Sequence, residues 1–121
     1  MDDRLAGRRI LVVEDEFLIA LDIEDALAAL GCVVVGPAGK LTEALELANK
    51  SEIDAAILDV TIRDDKVFPV ADKLLERGIP FIFASGYGEW ALPEPMRIHP
   101  RLTKPFQADD LENQLLRALA A

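Results

Sequence analysis

Histidine, cysteine, tryptophan and tyrosine occur once each among these 121 residues, and each scarcity closes a door. A single cysteine, Cys32, cannot close an internal disulfide, and its place in the apolar run CVVVG reads as a small buried hydrophobe. The lone His99, between Ile98 and Pro100, reads as a loop residue, because a phosphate-donating histidine ordinarily projects from an exposed helix. Basic residues are in deficit, 13 against 22 acidic ones, and the net charge of -9 repels phosphate backbones and anionic lipid heads. Nucleic acid and membrane surfaces are therefore not expected as partners; proteins or cations fit better. Long apolar runs are missing too: none approaches the roughly 18 residues of a membrane span. The start, MDDRLAGRR, has no apolar leader core, so the expected location is cytoplasmic. No internal repeat, linker or low-complexity segment is found.

What is present suits a folded core, with 51% of residues hydrophobic and 29% charged. The length fits one domain over residues 1–121, with a core at about 8–120 and no output domain. Five runs read as buried strands: ILVV (10–13), CVVV (32–35), AAIL (55–58), PFIFA (80–84) and the weaker RLT (101–103). Between them apolar residues recur at helical spacing: Ala20, Ile23, Leu27, Leu30; Leu41, Ala44, Leu45, Ala48; Val67, Val70, Ala71, Leu74; and Leu111, Leu115, Ala118. Gly31 and Gly78 stand where the first and third helices should stop. The acidic Asp64 and Asp65 with Lys66 are expected to open the third helix as cap and first turn. The interval from Gly86 to Pro100, rich in glycine and proline, predicts only a weak fourth helix.

Alternation of strand and helix predicts an α/β fold: a doubly wound five-stranded parallel sheet in the order 2-1-3-4-5. That order opens a crevice at the carboxyl ends of the first and third strands. The stretch ILVVEDE delivers Glu14 and Asp15 there, and ILDV delivers Asp59. Clustered anions need a neutralising cation, and hard oxygen donors suit magnesium, with manganese as a substitute. A plainer account of Glu14 and Asp15 is an acidic helix N-terminus, and Asp59 could be a turn residue. Two further strand ends weigh against the plain account: Ser85 in FASGYG offers a hydroxyl, and Lys104 in RLTKPF offers an ammonium group. A hydroxyl, a lysine and a metal around one carboxylate are what an acyl phosphate requires.

In these residues the chain resembles the receiver domains of two-component response regulators, with their flavodoxin-like fold, from about Arg8 to Ala120. The resemblance implies that Asp59 is the phosphoacceptor and that Glu14 and Asp15 organise magnesium. Asp59 and the backbone carbonyl of Thr61 would complete the metal's ligands. Ser85 would take the place of the switch hydroxyl, and Lys104 that of the lysine contacting the phosphoryl group. Pro105 falls where the family commonly has a cis peptide. The implied function is acceptance of a phosphoryl group from a sensor histidine kinase or histidine phosphotransfer protein, with signalling to a downstream protein. Such a chain is not an enzyme beyond its own phosphorylation and dephosphorylation.

Two departures stand out. The family usually has Pro four residues after the acceptor and an aromatic three before the lysine; here those places hold Arg63 and Arg101. Without the aromatic, FASGYG is similar to the Phe-Ala-Thr-Gly-x-Tyr motif of certain stand-alone receivers, with Ser85 for threonine and Tyr87 one place early. Residues 86–101 are then the expected signalling segment, with Tyr87, Trp90 or Arg101 offered to a partner. A flavin binder of the same fold would need a phosphate-cradling loop where EDEF stands. A haloacid-dehalogenase-type phosphatase would need an aspartate at Thr61. A phosphorylation-independent interaction module remains the alternative.

Overall fold

Strands with no polar alternation must be covered on both faces, and the computed structural model meets that demand with helices on each side of one parallel sheet. It describes residues 4–86 and 92–120. Along the chain come β1 (Arg9–Val13), α1 (Phe17–Ala29), β2 (Val33–Ala38), α2 (Leu41–Lys50), β3 (Ala55–Asp59), β4 (Thr61–Ile62) and β5 (Asp65–Lys66). Then follow α3 (Phe68–Glu76), β6 (Phe81–Ser85), a single 3-10 turn at Glu94–Met96, β7 (Arg101–Thr103) and α4 (Ala108–Ala120). The main sheet runs β2-β1-β3-β6-β7, every pair parallel, which is the expected doubly wound order. No helix among the described residues is long and apolar enough to cross a membrane.

The period of two along each strand divides the core in two. Leu11, Val13, Ala56, Leu58, Phe81 and Phe83 face one side, where Ala44 and Ala48 of α2 and Val70, Ala71 and Leu74 of α3 cover them. Ile10, Val12, Ile57, Ile82 and Leu102 face the other, against Ile23 and Leu27 of α1 and Leu111 and Leu115 of α4. Two helix ends follow the glycine expectation. Gly31 and Gly78 lie at φ 82° and 69°, and each closes a Schellman motif: Cys32 N–H to Leu27 O at 3.0 Å, and Ile79 N–H to Leu74 O at 2.9 Å. Cys32 is half-buried, and burial raises its thiol pKa.

The acidic run before α3 departs from expectation. Asp65 and Lys66 do not begin the helix but pair antiparallel with Thr61 and Ile62 in a small hairpin. Val67 is buried and donates its N–H to Val60 O at 2.9 Å, which turns the chain before the helix, and Pro69 in the first turn sets the start at Phe68. A ladder of two residues per strand is too short to leave a period in the sequence, so its solvated residues resemble a helix cap.

The interval before β7 holds no α-helix among its described residues. It is nonetheless anchored: Leu92 and Met96 are buried in the core, and the His99 ring lies on Phe81 with centroids 4.3 Å apart. Burial pulls the His99 pKa below its ordinary value. Tyr87 and Trp90 lie outside the described residues.

Candidate functional site

The strand register brings the chemistry to one edge. Val13 is level with Leu58, Asp59 with Ala84, and Ser85 with Thr103, so Glu14, Asp59, Ser85 and Lys104 leave the sheet at nearly the same height. The backbone fastens that edge: Glu14 N–H donates to Ala38 O at 3.0 Å and Lys104 N–H to Ser85 O at 2.8 Å.

At the centre is Lys104. Its ammonium group donates to Glu14 Oε1 at 2.5 Å and to Asp59 Oδ2 at 3.1 Å. Glu14 and Asp59 are both buried, and Asp15 is exposed beside them. One carboxylate oxygen from each of the three comes within 4.8 Å of the others. Burial, with Asp59 adjacent, pushes the Glu14 pKa from 4.5 up to about 7, although the Lys104 contact pulls it the other way. Burial alone would lower the Lys104 pKa, but its bond to Glu14 and the charge of Asp59 outweigh this and raise it. Burial dominates the Glu14 shift, and beside it a single ammonium faces three clustered carboxylates, more than it can neutralise.

That imbalance is the test of fit for a divalent ion. Oxygen donors in a small cleft, in charge excess over the Lys104 ammonium that bonds two of them, suit a hard cation such as magnesium. The cleft, of about 250 Å³, is lined by Asp15, Glu16, Asp59, Thr61, Arg63, Gly86 and Lys104. Glu14 is the least available ligand, since Oε1 holds Lys104 and Oε2 accepts the Glu16 N–H at 3.2 Å. Its carboxylate fixes the lysine. Thr61 lines the cleft, with its N–H 3.4 Å from Asp59 Oδ1 and its hydroxyl accepting from Lys66 Nζ at 2.8 Å.

Ser85 occupies the expected strand end but is fully buried, and Gly86 is the residue that reaches the cleft. Arg101 opens β7 with its side chain exposed. The Lys104–Pro105 peptide is cis, as the resemblance implied. Sequence reasoning missed the backbone of Arg63, whose N–H donates to Asp15 Oδ2 at 2.8 Å. Its only signal in the sequence was an arginine where proline is usual.

Fold and cleft together define a doubly wound α/β domain that gathers three carboxylates and a lysine at its topological switch point. Residues 10–116 match the family model of the response regulator receiver domain, and the chain belongs to that family. Among its relatives are the transcriptional regulatory protein PdtaR of Mycobacterium tuberculosis, 34% identical over 90% of this chain and 55% of that one. The phyllosphere-induced regulator PhyR of Methylorubrum extorquens is 36% identical over 91% of this chain and 43% of its own length. The chain thus spans about half the length of these curated relatives. The solution structure of SdrG from Sphingomonas melonis superposes with a TM-score of 0.86 at 41% identity, covering 95% of this chain and 98% of SdrG. Family membership places the chain in two-component signalling.

Proposed function

We propose that this receiver accepts a phosphoryl group on Asp59 from a phosphohistidine of a sensor kinase or phosphotransfer protein. The observation that carries the reading is Lys104 bridging buried Glu14 and Asp59 at the floor of an acidic cleft. In the reaction an Asp59 carboxylate oxygen attacks phosphorus, the P–N bond breaks, and its electron pair leaves with the imidazole, which takes up a proton. Lys104 holds the acceptor and meets the transferred oxygens, and Ser85 lies one residue beyond the partner of Asp59 in β6. Magnesium or manganese, held by Asp15, Asp59 and the Thr61 carbonyl, would spread the charge that develops on the phosphoryl oxygens.

The donor's approach is supported by α1. Phe17 and Leu18 are 77% and 73% exposed at its first turn, unusual for large apolar residues. Beside them a largely apolar pocket of about 380 Å³ runs from Ile19 to Pro105 and Phe106 and reaches Lys104. A helix bearing the phosphohistidine could lay an apolar face there. The test is labelling by acetyl phosphate, followed by intact mass and phosphate-affinity gels. Labelling should require both Asp59 and a divalent ion. If Asp59→Ala labels as fast as wild type, or EDTA changes nothing, the reading is wrong; a folded wild type that never labels would be an interaction module.

A further inference from the structure

We infer that the Arg63 guanidinium is a phosphoryl-binding group of this cleft, an addition to the common receiver machinery that the family's usual proline could not supply. The inference rests on the phosphoacceptor reading, in which Asp59 carries the phosphoryl group. Arg63 lines the same cleft of about 250 Å³ as Asp59 and Lys104, with its side chain exposed. Its Nε donates to Gly39 O at 3.3 Å, which ties the side chain to the loop between β2 and α2. The two terminal amino groups make no hydrogen bond or ion pair among the described residues. A guanidinium held by its inner nitrogen, with the outer fork open, matches the oxygens of a phosphoryl group in both charge and shape.

The fold explains why the side chain stays at the cleft. Ile62 is fully buried, and Thr61 and Ile62 pair with Lys66 and Asp65, so the turn that carries Arg63 is held from beneath. Charge supplies the need. A phosphoryl group on Asp59 would bring about two negative charges, in addition to those of Glu14 and Asp15 beside it. Lys104 and a divalent ion together leave an excess of anion, and Arg63 is the other cation that lines the cleft. Because the family does without this group, its loss should slow phosphorylation rather than abolish it.

Wild type, Arg63→Lys and Arg63→Gln carry the fork, the bare charge and neither, and all three side chains meet the same backbone cost at φ 57°. The chain would be labelled with acetyl phosphate in magnesium, and beryllofluoride would be titrated by NMR as a phosphoryl mimic that has no donor attached. Arg63→Gln should lose about tenfold in labelling rate and bind beryllofluoride several-fold more weakly, as loss of a charge-assisted bond does. Arg63→Lys should recover part of each loss, and magnesium affinity should not fall in either variant. Arg63→Gln matching wild type in both measurements overturns the inference. So does slower labelling with beryllofluoride binding unchanged, which would leave a guanidinium that only attracts the donor. A matching fall in magnesium affinity overturns it too, by routing the effect through the metal. A wild type that never labels defeats the underlying reading, and shows in the wild-type arm alone.

Discussion

Lys104 Nζ donates to Glu14 Oε1 across 90 residues of sequence, and the Glu14 side chain is only 1% exposed. The bond joins the end of β1 to the loop after β7 with Asp59 between them, so Asp59 is held by the same lysine that locks the edge of the sheet. Removing a partner from so buried a pair strands a charge, and the group left behind either titrates or unfolds the edge.

The first prediction follows from Glu14. Its folded pKa of about 7 lies above the ordinary 4.5, so the folded, metal-free protein binds more protons than the unfolded chain between those values. The contribution is fully present below 4.5 and lost as pH rises through 7. Urea denaturation in EDTA should show stability falling across that window by something on the order of 1–3 kcal/mol. Glu14→Gln should flatten the fall. An unchanged slope in Glu14→Gln would place the titration elsewhere.

A second prediction concerns the excess of anions. Magnesium at ten times its Kd should stabilise the fold by about 1.4 kcal/mol, roughly 5 °C in Tm for a domain of this size. Asp15→Asn should lose at least about half of that gain while changing the metal-free Tm little, because its side chain is exposed. Equal magnesium titrations in the two proteins would remove Asp15 from the metal site.

Gly78 supplies a test of the fold itself. At φ 69° with no atom within 4 Å of an added Cβ, Gly78→Ala meets strain without collision. The cost should be about 1 kcal/mol, read from the urea midpoint at unchanged m. A loss several times larger would mean that α3 ends differently.

Much of this was legible in the sequence because burial writes itself into composition. ILVV, AAIL and FIFA, short and rich in branched or aromatic residues, read as strands covered on both sides, and Glu14, Asp59, Ser85 and Lys104 were expected at strand ends because the apolar runs stop there. What stayed hidden lives in geometry that no period encodes. The Thr61–Lys66 hairpin has two residues per strand, too few to alternate. The Arg63 bond to Asp15 comes from a main-chain amide, which every residue but proline carries. Ser85 was expected at a strand end and lies there, level with Thr103, but its burial has no sign in the sequence, nor does the placing of Gly86 in the cleft wall.

The last prediction concerns signalling, where Arg101 stands in place of the usual aromatic. An exposed guanidinium at the start of β7 cannot repeat the buried-or-exposed choice of a ring, so the phosphorylated state must be reported by another element. Gly86 lines the cleft directly after buried Ser85, and the chain from there to β7 contains a single 3-10 turn among its described residues. Its far end is held by Leu92, Met96 and the His99 ring on Phe81. A segment anchored through Ser85 and Met96, and rich in glycine and proline by sequence, can be reordered by a modest free energy. Beryllofluoride, a phosphoryl mimic, should therefore change amide shifts and exchange most at residues 86–101, spreading through Phe81 and Phe83. Asp59→Ala should abolish the change. If the largest shifts fall instead on α1 and α2, with 86–101 unmoved, the readout lies on another face of the domain.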